Sequence, residues 1–150
     1  MELSNNLQTI IEECSEITCR YKVKVFESND LYKLAMLRDC IKENYDLDTL
    51  CNDDFYKSKG ANPMAMTEVL ELIKSDSSKS ILLVDGPIYA LHTWSSNLRR
   101  KFWNEMSYYS GKIILFFMPE QEESKEYFRI CENIINGCTV LEPKRIKGGI

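Results

Sequence analysis

Two short apolar runs, separated by a helical segment, dominate the hydrophobic pattern of the chain. The first occupies residues 81–84 and is followed by Asp85, and the second occupies residues 113–117, directly after Lys112. Uninterrupted apolar runs of this length are typical of strands buried on both faces of a parallel sheet. An acid directly after such a strand lies at the carboxyl edge of the sheet, where ligands of open α/β folds usually bind. The pattern therefore predicts an α/β sheet with a candidate site beside Asp85.

Three further segments predict strands. Residues 21–26 alternate apolar side chains with Lys22 and Lys24, which indicates a first strand that is less completely buried than the later ones. Residues 45–50 also alternate and predict a short edge strand. Residues 138–141 predict the last strand of the sheet.

Apolar residues at helical spacing recur before and between these strands. The last such segment predicts a fifth helix, with acids such as Glu120 at its start and Asn136-Gly137 as its end. Helices and strands that alternate with short loops are typical of a three-layer α/β fold. We therefore expect one domain over residues 1–150, with a mainly parallel central sheet and a flexible basic tail at residues 144–150.

Composition and charge limit the class of protein. The chain has 150 residues, of which 44% are hydrophobic and 28% charged, as in ordinary globular domains. Its net charge of −4 argues against non-specific binding to nucleic acid or to an anionic membrane. The first residues show no export signal, and no apolar run is long enough to span a bilayer. We therefore expect a cytoplasmic protein without membrane contact.

The cysteines and the single histidine do not form a recognisable metal or redox motif. No two of the six cysteines have the two-residue spacing of a zinc knuckle or a thioredoxin-like site. In a reducing compartment, most of them are expected to be small buried side chains. The sequence therefore predicts neither a metal site built on cysteine nor another cofactor.

The order strand, Asp85, helix, strand resembles the Walker B region of P-loop ATPases, in which the aspartate helps to hold Mg²⁺. In those proteins a G-x-x-x-x-G-K-[ST] loop follows the first strand, because glycine N–H groups and a lysine must bind phosphate. Here that position holds Glu27, Ser28, Asn29 and Asp30, without glycine or lysine. We therefore expect a P-loop or Rossmann-like core that lacks a phosphate loop, as in a degenerate NTPase.

The strand and helix at residues 81–91, with the Phe-Phe-x-Pro strand end within residues 111–120, also resemble a known group. They are similar to small accessory proteins of bacteriophage exclusion (BREX) gene clusters, some of which look like small P-loop proteins. The resemblance implies an accessory, partner-binding role in antiviral defence and assigns no site residue. The leading hypothesis is therefore a non-enzymatic protein-interaction subunit of a larger bacterial assembly.

The expected contact surface lies at the start of the helix between the two apolar runs, together with the residue just before its cap. Trp94, Arg99, Arg100 and Trp103 combine aromatic and basic side chains. Arginine and tryptophan are favoured anchors of protein interfaces, because each offers large contact area with directed hydrogen bonds. These four residues are therefore the predicted partner-binding site.

Two alternatives stay open. Asp85, Asp30 and Glu120 all follow predicted strands, so they are candidates for the carboxylates of a Mg²⁺-dependent nuclease or phosphohydrolase. The same acids also suit helix caps, which need no metal. The basic and aromatic residues around Arg99 would alternatively suit a nucleic-acid-binding module without catalysis.

Overall fold

The computed structural model describes residues 4–56, 63–75, 77–85 and 89–145. Within these residues the helices and strands alternate over most of the chain, which confirms the α/β class. The helices are α1 (Asn5–Ser15), α2 (Leu31–Asn44), α3 (Met66–Lys74), α4 (Tyr89–His92), α5 (Ser96–Tyr108) and α6 (Ser124–Tyr127). The strands are β1 (Val23–Ser28), β2 (Asp48–Leu50), β3 (Ile81–Val84), β4 (Ile113–Pro119), β5 (Phe128–Ile135) and β6 (Cys138–Pro143).

The six strands form one mixed sheet in the order β2-β3-β4-β1-β6-β5. The neighbours β2, β3, β4 and β1 are parallel to one another. Strand β6 runs antiparallel to β1, and β5 runs antiparallel to β6. The sequence predicts a mainly parallel sheet. Among the described strands only four neighbouring ones are parallel, and an antiparallel hairpin extends the sheet beyond β1.

The prediction of a fifth long helix is wrong. Only one helical turn, α6, forms at its start, and residues 128–135 form β5 instead. Asn136 and Gly137 have φ values of 51° and 81°, so they form the tight turn of the β5–β6 hairpin rather than a helix end. Strand β6 of this hairpin supplies hydrogen-bonding partners to the second side of β1, which a helix cannot do.

Strand β1 is also more buried than its lysines suggested. All six of its residues are buried, because β4 pairs with it on one side and β6 on the other. Lys24 lies inside the protein, where its Nζ is 2.7 Å from Oε2 of Glu142 on β6. The sequence alternation failed here because a residue from the unrecognised hairpin neutralises the lysine.

Helices pack on both faces of the sheet. One core contains apolar residues of α1 and α2 with Phe26, Leu83 and Leu115 of the sheet. The other contains apolar residues of α3 and α5 with the alternate strand positions, such as Val25 and Phe116. Each central strand therefore contributes side chains to both cores, as expected for strands that are apolar throughout.

The connections that leave β1 and β4 go to opposite faces of the sheet. Strand β1 continues into α2, which packs in the first core, and β4 continues into α6, whose Tyr127 packs in the second. Because β1 and β4 are parallel neighbours, a crevice opens between their carboxyl ends. In open α/β sheets such a topological switch point is the usual place of a ligand site.

Part of the expected flexible tail makes defined contacts. Arg145 donates from Nε to the carbonyl oxygen of Ser107 at 3.0 Å, and its guanidinium stacks on the rings of Tyr21 and Tyr108. The remainder of that prediction, residues 146–150, lies outside the described residues. None of the described helices is both long and apolar enough to cross a membrane.

All six cysteines are free thiols. Cys14, Cys40 and Cys138 are buried, whereas Cys51 is exposed. Burial raises the pKa of the Cys14 thiol to about 12, so this group is a poor nucleophile at neutral pH.

Candidate functional site

Asp85 lies at the carboxyl end of β3, as predicted, but two cations of α2 surround its carboxylate. Arg38 donates from Nη1 to Oδ1 at 2.9 Å, and Nζ of Lys42 lies 3.7 Å from Oδ2. The side chain of Asp85 is partly buried, so these ion pairs are less screened than pairs in open solvent. Asp85 therefore holds the carboxyl edge of the sheet to α2.

The other two carboxylates of the nuclease hypothesis have different surroundings. Oδ1 of Asp30 accepts hydrogen bonds from the backbone N–H groups of Tyr32 and Lys33, and so caps α2. Glu120 is exposed just after β4, with its backbone N–H bonded to the carbonyl of Ser28. Over the described parts of the chain, no group of three or more His, Cys, Asp or Glu residues is placed to hold a metal ion.

The two tryptophans of the predicted contact surface are core residues. Trp103 packs edge to face against Phe102, Phe116 and Phe128. Trp94 is buried in the same core, and its Nε1 donates to the carbonyl of Met64 at 3.1 Å. Neither ring is available to a partner, so the prediction that these rings form a contact surface is wrong.

The two arginines differ from each other. Arg99 makes a bidentate pair with Glu123 at 3.1 and 3.2 Å and donates to the carbonyl oxygen of Trp94 at 2.5 Å. It therefore ties the start of α5 to the segment before α6. Arg100 is more exposed, with its Nη2 3.9 Å from Glu126. Of the four predicted partner residues, only Arg100 lies on the surface with a weakly held side chain.

The solvent side of α2 carries an apolar patch that the sequence analysis did not single out. Leu31 and Tyr32 are 63% and 73% exposed, and Met36 is also exposed. Ala35 lies one turn after Leu31, so these four residues share the outward side of the first two turns. We call this patch, made of Leu31, Tyr32, Ala35 and Met36, the α2 surface.

A groove of about 190 Å³ adjoins the α2 surface. Leu31, Leu34 and Ala35 of the helix form one wall, and Phe117 of β4 lies on the other side. The Arg38–Asp85 ion pair also lines the groove. An apolar depression beside an exposed aromatic residue, with a polar rim, has the usual composition of a protein contact site.

The signal for the α2 surface was present in the sequence. Six of the seven residues in 31–37 are apolar, and only Lys33 interrupts them. The inward positions at helical spacing, such as Leu34 and Leu37, account for the buried stripe. The other apolar residues of this segment lie outside the buried stripe, which predicts an apolar solvent side for this part of the helix.

Comparisons with known proteins add no relative. No protein-family model, no curated protein and no solved structure matches the chain. The resemblance to accessory proteins of bacteriophage exclusion clusters therefore stays a prediction.

Proposed function

We propose that the protein is a non-enzymatic, protein-binding subunit of a larger bacterial assembly, and that its partner docks on the α2 surface. The observation that carries the proposal is that the first two turns of α2 are apolar on the solvent side as well as on the core side. A helix that is hydrophobic all round is normally buried on all sides. A partner that covers α2 would complete this burial.

The composition of the patch supports a protein as its occupant. Leu31, Tyr32 and Met36 are three large exposed side chains on two adjacent turns, so their apolar areas adjoin. Contiguous exposed apolar area of this kind marks interaction sites, whereas single exposed apolar residues are normal. Tyrosine and methionine are also enriched at protein interfaces.

The groove defines the chemistry of the partner. Its volume of about 190 Å³ suits a single apolar side chain, and the exposed Tyr32 directly follows Leu31, which lines the groove. The Arg38–Asp85 pair gives the partner both a donor and an acceptor at the edge of the contact. We therefore propose a partner segment with an apolar anchor flanked by polar groups. The sequence resemblance supports a defence system as the setting of this assembly.

The experiment compares the wild type with a triple variant of the α2 surface and with a double control variant. The variant Leu31→Ser with Tyr32→Ser and Met36→Ser removes the α2 surface, whereas Ile17→Ser with Leu98→Ser removes exposed apolar residues elsewhere. Both substitute exposed positions, so both are expected to fold. Affinity purification from the native host, with quantitative mass spectrometry, is expected to recover a stoichiometric protein with the wild type and the control. At least tenfold less of it is expected with the α2 variant.

Two results would contradict the proposal. Equal recovery of the partner with the α2 variant would show that the interaction uses another surface. A wild-type dimer in light scattering that the α2 variant converts to a monomer would show that a second copy of the chain covers α2 instead.

A further inference from the structure

A second cavity, of about 430 Å³, opens on the face of the sheet opposite α2. It lies beside the switch point between β1 and β4. Residues of β1, β6 and β5 form its floor, and α6 with the segment that follows β4 forms its rim. Its volume falls in the range of small-molecule sites, which usually combine apolar walls with a few polar groups. We call it the switch-point cleft. Its lining includes Glu27, Glu120, Glu122, Phe128, Ile130 and Leu141.

Neighbouring strands align the floor of the cleft. Glu27 of β1 is paired with Thr139 of β6, and Leu141 of β6 is paired with Ile130 of β5. Because paired residues point to the same side of a sheet, the floor of the cleft has a polar part at Glu27 and Thr139 and an adjacent apolar part at Leu141 and Ile130. The cleft is therefore chemically divided, with a carboxylate at one end and hydrocarbon at the other.

Glu27 is the most buried acid of the cleft, with 8% of its surface exposed. Burial raises the pKa of its carboxyl, and the nearby Glu120 raises it further, while hydrogen bonds from Oγ of Ser124 and from the backbone of Gln121 oppose the shift. No cation of the described residues is paired with this carboxylate, in contrast to Asp85 and Glu142. A bound cation would relieve the cost of holding this charge away from water.

The apolar end of the cleft is open because α6 is only one turn long. Phe128 at the start of β5 is buried, but Ile130 two residues later is 74% exposed. Leu141 beside it is largely buried and forms part of the second core. The uncovered side of Ile130 thus extends the apolar floor to the mouth of the cleft.

We propose that the switch-point cleft binds a small aliphatic amine, with the ammonium group at Glu27 and the hydrocarbon chain along Ile130 and Leu141. Three carboxylates and one lysine line the cleft, so its charge favours a cation. The adjacent apolar floor selects an amine with an alkyl chain over an inorganic cation, which would leave that floor exposed to water. This site is separate from the α2 surface and goes beyond the protein-binding role, because it lies on the other face of the sheet.

The test uses hexylamine as the probe, with hexan-1-ol and hexanoate as matched ligands of the same chain length. Calorimetric titrations are made in phosphate buffer, since many common buffers are themselves amines. Hexylamine is expected to bind at least about tenfold more tightly than hexanol, because the ammonium donates a charge-assisted hydrogen bond. Hexanoate is expected not to bind. Equal affinities for the amine and the alcohol would overturn the proposal.

Matched substitutions locate the binding. Glu27→Gln is expected to reduce hexylamine affinity at least about tenfold, whereas Glu126→Gln, on α6 but outside the cleft, leaves it within about twofold. Ile130→Ser is expected to weaken binding about threefold or more, while Ile17→Ser, another exposed isoleucine, leaves it unchanged. If the Glu27→Gln variant does not fold, the comparison of Ile130→Ser with Ile17→Ser still tests the proposal. An unchanged affinity in Ile130→Ser would contradict the proposed position of the chain.

Discussion

Among single residues, the pair formed by Lys24 and Glu142 shows how the interior holds a charge. Both side chains are less than a tenth exposed, and Arg129 also donates to the Glu142 carboxylate. Burial alone would lower the pKa of Lys24 and raise that of Glu142. Their mutual hydrogen bond and charges outweigh burial, so the pKa of Lys24 is raised and that of Glu142 is lowered. Both groups are therefore charged at neutral pH.

Replacing Glu142 with leucine is expected to lower the free energy of unfolding by about 3 kcal/mol, because it leaves the Lys24 ammonium buried without its carboxylate. The double variant Lys24→Met with Glu142→Leu is expected to lose less, since no buried charge is left alone. Urea unfolding at pH 7 measures both values. A double variant less stable than Glu142→Leu would contradict this account.

Glu27 and Glu142 predict opposite effects of pH on stability, because the pKa of the first is raised above 4.5 and that of the second is lowered below it. As the pH falls towards 4.5, Glu27 binds a proton in the folded protein before it does so in the unfolded chain, which adds stability. Below 4.5, Glu142 stays ionised in the folded protein alone, so stability is lost as the pH falls through its folded pKa.

The variant Glu27→Gln isolates the first of these effects. The free energy of unfolding of this variant is expected to exceed that of the wild type most at pH 7, where the wild type buries the Glu27 charge. The difference is expected to shrink as the pH falls to 4.5 and Glu27 of the wild type binds a proton. Urea unfolding at several pH values between these limits measures the trend. A constant difference between the two proteins would show that burial does not shift the Glu27 pKa.

Among the elements, the β5–β6 hairpin has the largest effect on the fold. Its β6 strand covers the side of β1 that would otherwise be an open edge, and it brings Glu142 to Lys24. The spacing of Tyr127, Cys131 and Ile135 fits a helix as well as a strand, so periodicity did not separate the two. The Asn136-Gly137 dipeptide was the better signal, because both of its residues adopt the positive φ that a tight hairpin turn requires.

Gly137→Ala is expected to destabilise the protein by about 1–2 kcal/mol, because its φ of 81° is unfavourable for a residue with a Cβ. Asn136→Gly is the matched control, since glycine readily adopts the φ of 51° at that position. Thermal unfolding of both variants measures the difference. A loss of stability in the control as large as in Gly137→Ala would show that the turn conformation is not the cause.

At the level of the whole molecule, the four parallel strands end at a common carboxyl edge, and acidic groups at that edge bind to α2 of the protein itself. Asp30 caps α2, and Asp85 is held by Arg38 and Lys42. The turn after β1 contains neither glycine nor lysine. The ion pairs of Asp85 stabilise the contact between the sheet and α2, the helix that carries the α2 surface.

ATP with Mg²⁺ is therefore expected to leave the melting temperature of the protein unchanged. A ligand present at a hundred times its dissociation constant adds about 2.7 kcal/mol, which for a domain of this size is a rise of roughly 5–10 °C. Differential scanning fluorimetry detects such a rise. A rise in the wild type that is lost in Asp85→Asn would contradict this expectation and restore Asp85 as a metal ligand.

The alternation of helices and strands, the two buried runs and the caps at Ser4, Asp30 and Ser95 follow from local sequence, because each depends on neighbours along the chain. Long-range pairing depends on residues far apart, and short patterns do not encode it. Lys24 meets Glu142 across 118 positions, and Trp103 is buried by rings from β4 and β5. Which acids are neutralised and which apolar residues stay exposed is therefore set by packing, because burial and pairing arise only once the strands and helices assemble.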